Sequence, residues 1–518
     1  MSPSEFVSIF NDVLGPVMRG PSSSHTAGSY HIGRVARSLL GEAPAAAVFT
    51  FDPDGSYAAT FRQQSADKAF AAGLMGWLLI DDRFPRALET AKAEGLRLSF
   101  RVAALDGADH PNTVRIELRG ASGSTLRLMA KSTGGGGFLI NQIEDWAAAV
   151  DGKSFEIRIL VDKGDPASVE ALLNALPGDK GFFDNPSSDG ALVVLRSPDP
   201  PAKGFLDDLG RRPGVRRVWA AAPVYFPKRG EPLFDDAAGM VRYARERGLT
   251  MGQAALRCEA RLLGLTEAEA MDEMLRRTDL MIASVAAGLE SANVKMRLLE
   301  PSAASILDAE SRGTLAAGGL HARAAARALA AMHISNSGGI VVAAPTGGAA
   351  GVLPGVAVTL VRDRGLSRTR LGLAMFAAGA VGFVVSRRAT FAAEVAGCQV
   401  EIGAAGAMGA AAVVEAAGGT AAQAADAAAI SFQNTMGSVC DLVQGLCEIP
   451  CHTRNAVAAS NAFLCADLIL GGYQNPVPLD ETIDAVYASG RMLPPELLCT
   501  SLGGLSVAPS ALAIKPRL

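Results

Sequence analysis

The cysteines are the residues of this 518-residue chain whose spacing points most directly to chemistry. Five of the seven lie between positions 398 and 465, and this clustering in a large chain favours metal or redox chemistry over a disulfide framework. No Cys-x2-Cys pair of the zinc-finger kind is present. A proline precedes Cys451, which favours an iron–sulfur ligand over zinc. The alternative is that these cysteines are small apolar residues in a helical core.

A second polar cluster lies near the N-terminus, in the sequence Gly20-Pro-Ser-Ser-Ser-His-Thr-Ala-Gly28. Hydroxyls and backbone N–H groups that precede a helix are well suited to binding a carboxylate or a phosphate. A simple helix cap would explain one of the three serines but not the whole string. We call residues 20–28 the serine loop and expect it to bind a small anionic group.

The composition indicates a large folded protein that does not bind nucleic acid. Hydrophobic residues make up 49% of the chain and charged residues 19%, with a net charge of −4 and no basic block. The N-terminus lacks the basic and apolar segments of a secretion signal. The longest clean apolar run, Leu371 to Val385, is too short to span a bilayer comfortably. We therefore expect a cytoplasmic protein with no membrane partner.

The elements that must position these residues fall into three predicted domains. Residues 1–150 predict an α+β domain, with strands at 47–51, 98–102 and 114–118 and a helix from about Ser65 to Leu79. Four glycines at 134–137 follow Ser132 and predict a loop. Backbone donors of this loop could bind a ligand, and a flexible turn is the alternative.

Residues 155–226 predict a small βαββαβ domain of the ACT-like or ferredoxin-like kind. Such small sheets are often regulatory, and a spacer that only buries neighbouring surface is the alternative. The predicted strands lie at 155–161, near 181–183, at 191–195 and at 215–222, and the predicted helices at 165–176 and 201–211.

Residues 230–518 predict an all-α domain. Thr266 and Glu269 have the spacing of a capping box, which opens a long helix that could reach Arg297. The stretch 403–429 is mostly alanine and glycine, and small side chains let helices approach closely. We expect a tightly packed helical domain.

Together these motifs resemble the iron–sulfur-dependent L-serine dehydratases (L-serine ammonia-lyases) in a single-chain form. The serine loop resembles a Gly-Pro-Ser-Ser-Ser-His-Thr motif of their β region, and residues 344–348 resemble an Ala-Pro-Thr-Asn-Gly loop of their α region. The stretch from Cys440 to Cys451 and the tail at 502–505 are also similar to that family. The motifs occur in family order and cover nearly all of 1–150 and 230–510.

The resemblance implies a [4Fe-4S] cluster held by Cys398, Cys440 and Cys451. Three thiolates leave one iron without a protein ligand, and that iron would act as a Lewis acid on the substrate hydroxyl. A base would remove the α-proton, and elimination would yield pyruvate and ammonia. The family also implies a homodimer. Of the other cysteines, Cys499 is a weak candidate for a fourth ligand and three are expected to pack in the core: Cys258, Cys447 and Cys465.

One position departs from the family pattern, because Gln64 stands where a histidine is expected. Glutamine cannot titrate near neutral pH and cannot act as an imidazole base. The base therefore lies elsewhere, the substrate differs from serine, or activity is lost. Three hypotheses remain: a lyase acting on L-serine, the same chemistry on cysteine or a β-hydroxy dicarboxylic amino acid, and a catalytically impaired amino-acid sensor.

Several residues are candidates for the site. His25 has the best context for catalysis and His110 lies in a family-like motif. Ser24 and Gln64 complete the predicted catalytic set. The predicted substrate-binding residues are Ser22, Ser23, Thr26, Ser132, Asn336, Thr346, Gly347 and Arg454. Among the other histidines, we expect a structural role for His31, an exposed position for His321, a place near the site for His333 and cluster tuning by His452.

Overall fold

The computed structural model describes residues 6–162, 179–184, 190–290, 292 and 294–517. An N-terminal β-rich region is followed by a small antiparallel sheet and then by a helical region. This order agrees with the predicted succession of an α+β segment, a small sheet and a helical segment. The segment predicted to be all-α also contains one short strand, Ile340–Val342, which pairs with a strand of the N-terminal segment.

The N-terminal region is built on a six-stranded sheet. The first two strands in spatial order are parallel, and all other neighbours are antiparallel. Each of the three strands predicted in this region is confirmed. In spatial order the strands are Arg97–Val102, Pro44–Phe51, Thr113–Gly120, Thr125–Gly134, Gly137–Ile143 and Trp146–Val150.

Two helices, Gly28–Leu40 and Ala66–Met75, pack against each other beside this sheet. The second is the helix predicted from Ser65 to Leu79. It ends earlier than predicted because Gly76 takes a left-handed φ of 79° and closes the helix. The other helical segments of the region are Ile9–Val13, Ser23–Ala27, Ser56–Thr60, Phe84–Arg86 and Ala87–Ala93.

The predicted glycine loop is a tight turn between the strands Thr125–Gly134 and Gly137–Ile143. Gly134, Gly135 and Gly136 have φ of 97°, 61° and 93°, which L side chains rarely adopt. A Cβ on Gly136 would lie 2.8 Å from Cδ of Pro16. The turn is therefore packed closely against the N-terminal segment.

The small sheet follows the predicted strand pattern. Its antiparallel order, Val215–Ala221, Phe155–Asp162, Gly190–Ser197 and Asp179–Asp184, places the first and third strands in the middle. The second predicted helix is found as Phe205–Gly210. The first, at 165–176, lies outside the described residues.

The helical region confirms the capping box but not the full length of the helix that it opens. Thr266 and Glu269 cap each other's backbone as predicted, and the helix is Glu267–Leu289 rather than one that reaches Arg297. Within the described residues the other helices of the region are Ala237–Glu246, Met251–Leu263, Ala303–Ser311, Gly319–Asn336, Val352–Arg364, Arg368–Arg388, Ala393–Ala396, Ile402–Ala417, Ala421–Gln433, Cys451–Leu470, Leu479–Gly490 and Pro509–Ala513, with shorter turns at Cys398–Val400, Val443–Gly445, Pro495–Leu497 and Gly504–Val507.

Two segments, Arg368–Arg388 and Cys398–Ala417, are long and apolar enough to cross a membrane by length and composition alone. In the most apolar window of each, 78% and 89% of the residues are buried inside the protein. Burial of this kind is typical of the central helices of a helical core. The alanine- and glycine-rich helix Ile402–Ala417 packs against the helices Arg368–Arg388, Ala421–Gln433 and Cys451–Leu470.

The N-terminal segment ties the two large regions together. The strand Val17–Arg19 pairs antiparallel with Ile340–Val342 of the helical region. Before it, the buried Glu259 carboxylate accepts hydrogen bonds from the Ser8 hydroxyl at 2.6 Å and from the Ile9 and Phe10 amides at 2.9 Å each. These contacts bring the serine loop, which follows Val17–Arg19, against the helical region.

Candidate functional site

The serine loop is a buried turn that leads into the helix Gly28–Leu40. Ser22 caps this turn, and its hydroxyl accepts a hydrogen bond from the His25 amide at 3.1 Å. The loop lies directly against the predicted substrate loop of the helical region, since a Cβ on Gly347 would lie 2.7 Å from the Pro21 carbonyl oxygen and 2.9 Å from the Ser23 amide nitrogen. Glycine is therefore required at position 347 for the two loops to meet.

His25 is fully buried between hydroxyl groups. Its Nε2 lies 3.0 Å from Oγ1 of Thr60, whose own proton is donated to the Ser56 carbonyl. We therefore assign the ring proton to Nε2, which leaves Nδ1, 3.3 Å from Oγ of Ser22, as the basic nitrogen. Burial lowers the pKa of His25 to about 4, although the charge of Glu394 partly offsets this. The imidazole is thus neutral near pH 7.

Gln64 lies in the same wall of the site and reaches the cysteine-rich segment. Its backbone carbonyl accepts from the Thr26 hydroxyl at 2.9 Å, and its Nε2 donates to the Gly445 carbonyl at 3.3 Å. The side chain is buried. The Thr26 hydroxyl proton is therefore already used within the protein. Gln64 joins the N-terminal region to the segment between Cys440 and Cys451.

The three predicted cluster ligands, Cys398, Cys440 and Cys451, are buried. The Cys398 and Cys440 thiols are in contact, and both influence the ionisation of Cys451. Contact with the Cys440 thiol and burial raise the pKa of Cys398 well above its ordinary value. Contact with the Cys447 thiol and burial do the same for Cys451, with smaller effects of Cys398 and Cys440. Contact with Cys398 lowers the pKa of Cys440, but contact with Cys499 and burial raise it to a net value well above normal.

Within the part of the chain that the structure describes, no group of three or more His, Cys, Asp or Glu side chains is arranged around a single point as ligands of one metal ion would be. A cubane cluster sets a different requirement, because each cysteine binds a different iron. Three buried thiols, each with a pKa well above its ordinary value, have the donor chemistry that a cationic metal centre would stabilise. The donor set therefore fits an iron–sulfur cluster.

Arg454 borders the cysteines. Its Nη1 lies 3.5 Å from Sγ of Cys398 and donates to the Val439 carbonyl at 2.7 Å, and its Nη2 lies 3.0 Å from Oδ1 of Asp441. A cavity of about 270 Å³ lies beside Cys398 and Arg454, with polar side chains that include Asn434 in its wall. Arg454 thus forms its ion pair with Asp441 inside the protein rather than a salt bridge at the surface.

Three further predicted substrate residues, Thr346, Asn336 and Ser132, are engaged with other parts of the protein. Thr346 donates to the Glu401 carboxylate at 2.5 Å, and burial raises the pKa of Glu401 to about 7. Asn336 donates to the Cys447 carbonyl at 2.9 Å and so holds the cysteine segment. Ser132 is buried and donates to the Gly137 carbonyl at 3.3 Å.

Of the predicted catalytic residues, Ser24 is buried in the serine loop and His110 lies at the edge of the site. Burial lowers the pKa of His110, against an opposing effect of the Glu394 charge. Sequence reasoning missed Glu394, whose charge acts on His25, and Glu401, whose Oε2 lies 3.9 Å from Sγ of Cys398. Their closeness in sequence to Cys398 was the one available signal.

The other histidines have separate environments. His333 and His452 stack at 5.4 Å between ring centroids, and burial lowers the pKa of His452 to about 3. His321 is exposed, as expected. His31 is buried, and its Nδ1 lies 3.0 Å from the Gly136 carbonyl and 2.9 Å from the Tyr225 hydroxyl. These contacts agree with the structural role expected for His31.

We predict that His31 makes the protein sensitive to acid. Burial lowers its pKa to about 4 from 6.5, so between these values the unfolded chain binds a proton that the folded chain does not. Stability therefore falls by about 1.4 kcal/mol per histidine for each pH unit below 6.5. In His31→Gln, the loss of unfolding free energy between about pH 7 and about pH 5 should be about 2 kcal/mol smaller than in the wild type. Denaturant titrations at both pH values would measure this, and an unchanged loss would contradict it.

The chain is similar in sequence to several known proteins. Residues 245–506 match the family model described as serine dehydratase alpha chain. The chain is 34% identical over 286 residues to the probable L-serine dehydratase alpha chain of Bacillus subtilis (strain 168), covering 55% of this chain and 95% of that protein. It is also 34% identical over 219 residues to the probable beta chain of the same organism, covering 41% of this chain and 97% of that protein.

A relative from a second organism is also similar. L-serine dehydratase 2 of Escherichia coli (strain K12) is 30% identical over 295 residues, which cover 55% of this chain and 63% of that protein. The match to the family model spans half of the chain, and the two Bacillus subtilis chains are covered almost completely. This chain therefore belongs to the iron–sulfur L-serine dehydratase family.

Proposed function

We propose that this protein is an L-serine ammonia-lyase that converts L-serine to pyruvate and ammonia with the help of a [4Fe-4S] cluster. The observation that carries the proposal is the meeting of two family motifs from distant parts of the chain. The serine loop with His25 packs on the loop at Gly347, and Gln64 reaches the Gly445 carbonyl between Cys440 and Cys451.

The cluster would be held by Cys398, Cys440 and Cys451. When bound, its iron without a cysteine ligand supplies a Lewis acid for the departing hydroxyl of the substrate. Arg454 adds a positive charge beside the Cys398 sulfur, which favours the thiolate form that a ligand needs. Cys447 and Cys499 contact the proposed ligands without being assigned to the cluster.

His25 is the proposed proton acceptor. It is neutral near pH 7 and its basic nitrogen, Nδ1, faces the Ser22 hydroxyl, so it can accept the α-proton without first losing one of its own. The hydroxyls of Ser22 and Ser23, together with the amides of the turn, suit the substrate carboxylate. Loss of the α-proton and of hydroxide gives 2-aminoacrylate, whose tautomer hydrolyses to pyruvate and ammonia.

Anaerobic purification tests the proposal directly. The protein should carry about four irons per chain, and it should release pyruvate and ammonia from L-serine in equal amounts. Air-free protein that contains neither iron nor sulfide would refute the role of the cluster. Iron-loaded protein that released no pyruvate from L-serine would refute the substrate.

Gln64 favours a second candidate function, in which the same chemistry acts on cysteine or on a β-hydroxy dicarboxylic amino acid. A buried amide that donates to the Gly445 carbonyl cannot supply the proton transfer expected of a histidine. Ammonia release should be screened over these compounds for the wild type and Gln64→His. A rise in serine turnover in the variant would support a changed substrate. Tight binding without turnover of any compound would instead indicate a sensor.

We further propose that residues 1–150, 155–226 and 230–518 are separate domains and that the protein is a cytoplasmic homodimer. The middle segment would be an ACT-like regulatory module, a proposal supported by its four-stranded antiparallel order. Analytical ultracentrifugation tests the dimer. Kinetics of serine turnover in a variant without residues 155–226 test the module. The rate in this variant should no longer respond to a second, added amino acid.

A further inference from the structure

Two polar side chains at the edge of the candidate site have no part in the function proposed above. The charge of Glu394 acts on His25, and the backbone amide of Asn112 donates to Nδ1 of His110 at 3.1 Å. Glu394 lies in the short helix Ala393–Ala396, and Asn112 directly precedes the strand Thr113–Gly120. Nδ2 of Asn112 donates to Oε1 of Glu394 at 3.4 Å. The contact therefore joins the N-terminal and helical regions at the edge of the candidate site.

Asn112 has an acceptor without a partner. Its side chain is 1% exposed, and among the described residues its Oδ1 receives no hydrogen bond. Buried polar atoms in folded proteins almost always have a partner. Rotating the amide would not remove the problem, because the oxygen would then face the Glu394 carboxylate. The geometry thus leaves a carbonyl oxygen that a further donor can satisfy.

Glu394 lacks a counter-charge. In the described part of the chain no lysine, arginine or histidine forms an ion pair with its carboxylate, which has the Asn112 amide as its hydrogen-bond donor. Its charge reaches the site, since it partly offsets the lowering of the His25 pKa by burial. A carboxylate beside an unsatisfied carbonyl oxygen suits a cation that carries several donors.

We propose that Glu394 and Asn112 bind the α-ammonium group of the amino-acid substrate. An ammonium group has three donors and one positive charge, so it can satisfy both acceptors at once. With the carboxylate in the serine loop, this would hold the α-carbon near His25. The inference rests on the proposed function, because it requires an amino acid in this site. It also predicts that 2-hydroxy acids of the same shape bind poorly.

The test compares L-serine with L-glycerate, which carries a hydroxyl in place of the amino group. Because the active protein consumes L-serine, both affinities are measured by calorimetric titration of anaerobically prepared protein in the His25→Ala background, which should bind serine without turnover. In Glu394→Gln, the affinity for L-serine should fall at least about 30-fold, because the substrate's ammonium group loses its charged partner. The affinity for L-glycerate should change less than about threefold, so the preference for serine collapses.

Control variants separate binding from folding. Glu394→Asp should restore part of the preference, since it keeps the charge. Glu246→Gln, which changes an exposed glutamate at the end of the helix Ala237–Glu246, should change neither affinity. If Glu394→Gln does not fold, Asn112→Ala provides the test instead. Its affinity for L-serine should fall about tenfold.

Each outcome decides the inference. An unchanged preference for serine in a folded Glu394→Gln protein would overturn it while the proposed function stands. Equal losses for serine and glycerate would indicate a structural role and would overturn it too. Wild-type protein that neither binds nor deaminates L-serine would end both proposals together.

Discussion

Replacing Cys440 or Cys451 with alanine is expected to abolish both iron incorporation and serine deamination. Each is buried and its thiol contacts other cysteines. A [4Fe-4S] cluster that keeps one iron open has three protein ligands, so loss of one leaves two and the cluster should not persist. Iron should fall from about four per chain to below about one, with pyruvate release at background.

Two further cysteine variants act as matched controls. Cys258 is buried in the helical core, where its sulfur accepts a hydrogen bond from the Leu233 amide. Cys258→Ala should therefore keep full iron content. Cys447→Ala is the more demanding control, because this thiol contacts Cys451 and yet is predicted to pack rather than to ligate. It should also retain about four irons.

Iron and sulfide analysis with electron paramagnetic resonance of anaerobic samples measures these outcomes. Full iron content in Cys440→Ala would contradict the assigned ligand set. Loss of iron in Cys447→Ala but not in Cys451→Ala would move the third ligand to position 447. Circular dichroism should show that all variants retain their helices, so that a loss of iron is not a loss of fold.

The strands and the capped helix could be predicted because their signals are local. The alternation at 114–118 and the pair Thr266 and Glu269 are short-range patterns. The end of the long helix at Leu289 could not be predicted in this way. The amides of residues 297–299 donate to the buried Glu448 carboxylate at 2.7 to 2.8 Å. This contact spans about 150 residues and leaves no local signal.

The residues of the candidate site also divide into those that local sequence patterns predict and those that only the fold brings together. The serine loop and the cysteines could be found because each is a compact motif of unusual composition. The pairing of Glu394 with Asn112 could not, since their contact joins positions 282 residues apart. Asn112 lies in the family-like motif of His110, but Glu394 lies in no distinctive motif. The role of Gln64 was predicted only as a departure from a family pattern. Its bond to the Gly445 carbonyl depends on the packing of the two regions.

Replacing His25 with alanine is expected to remove turnover and leave the cluster in place. General acid–base groups contribute about 100- to 10,000-fold to a rate, so kcat should fall by that range. Iron content should stay at about four per chain, because the ring's contacts are with Ser22, Ser56, Thr60 and Tyr57 rather than with the cysteines. Steady-state kinetics with parallel iron analysis measure both quantities.

The pH dependence gives an independent check on His25. Its folded-state pKa of about 4 means that the ring stays unprotonated down to mildly acidic pH. A free imidazole base with an ordinary pKa would lose activity as pH falls through about 6.5. For the wild type, kcat/KM should therefore show no such fall between about pH 8 and about pH 5.5. A fall centred near 6.5, together with near-normal kcat in His25→Ala, would assign the proton acceptor to another residue.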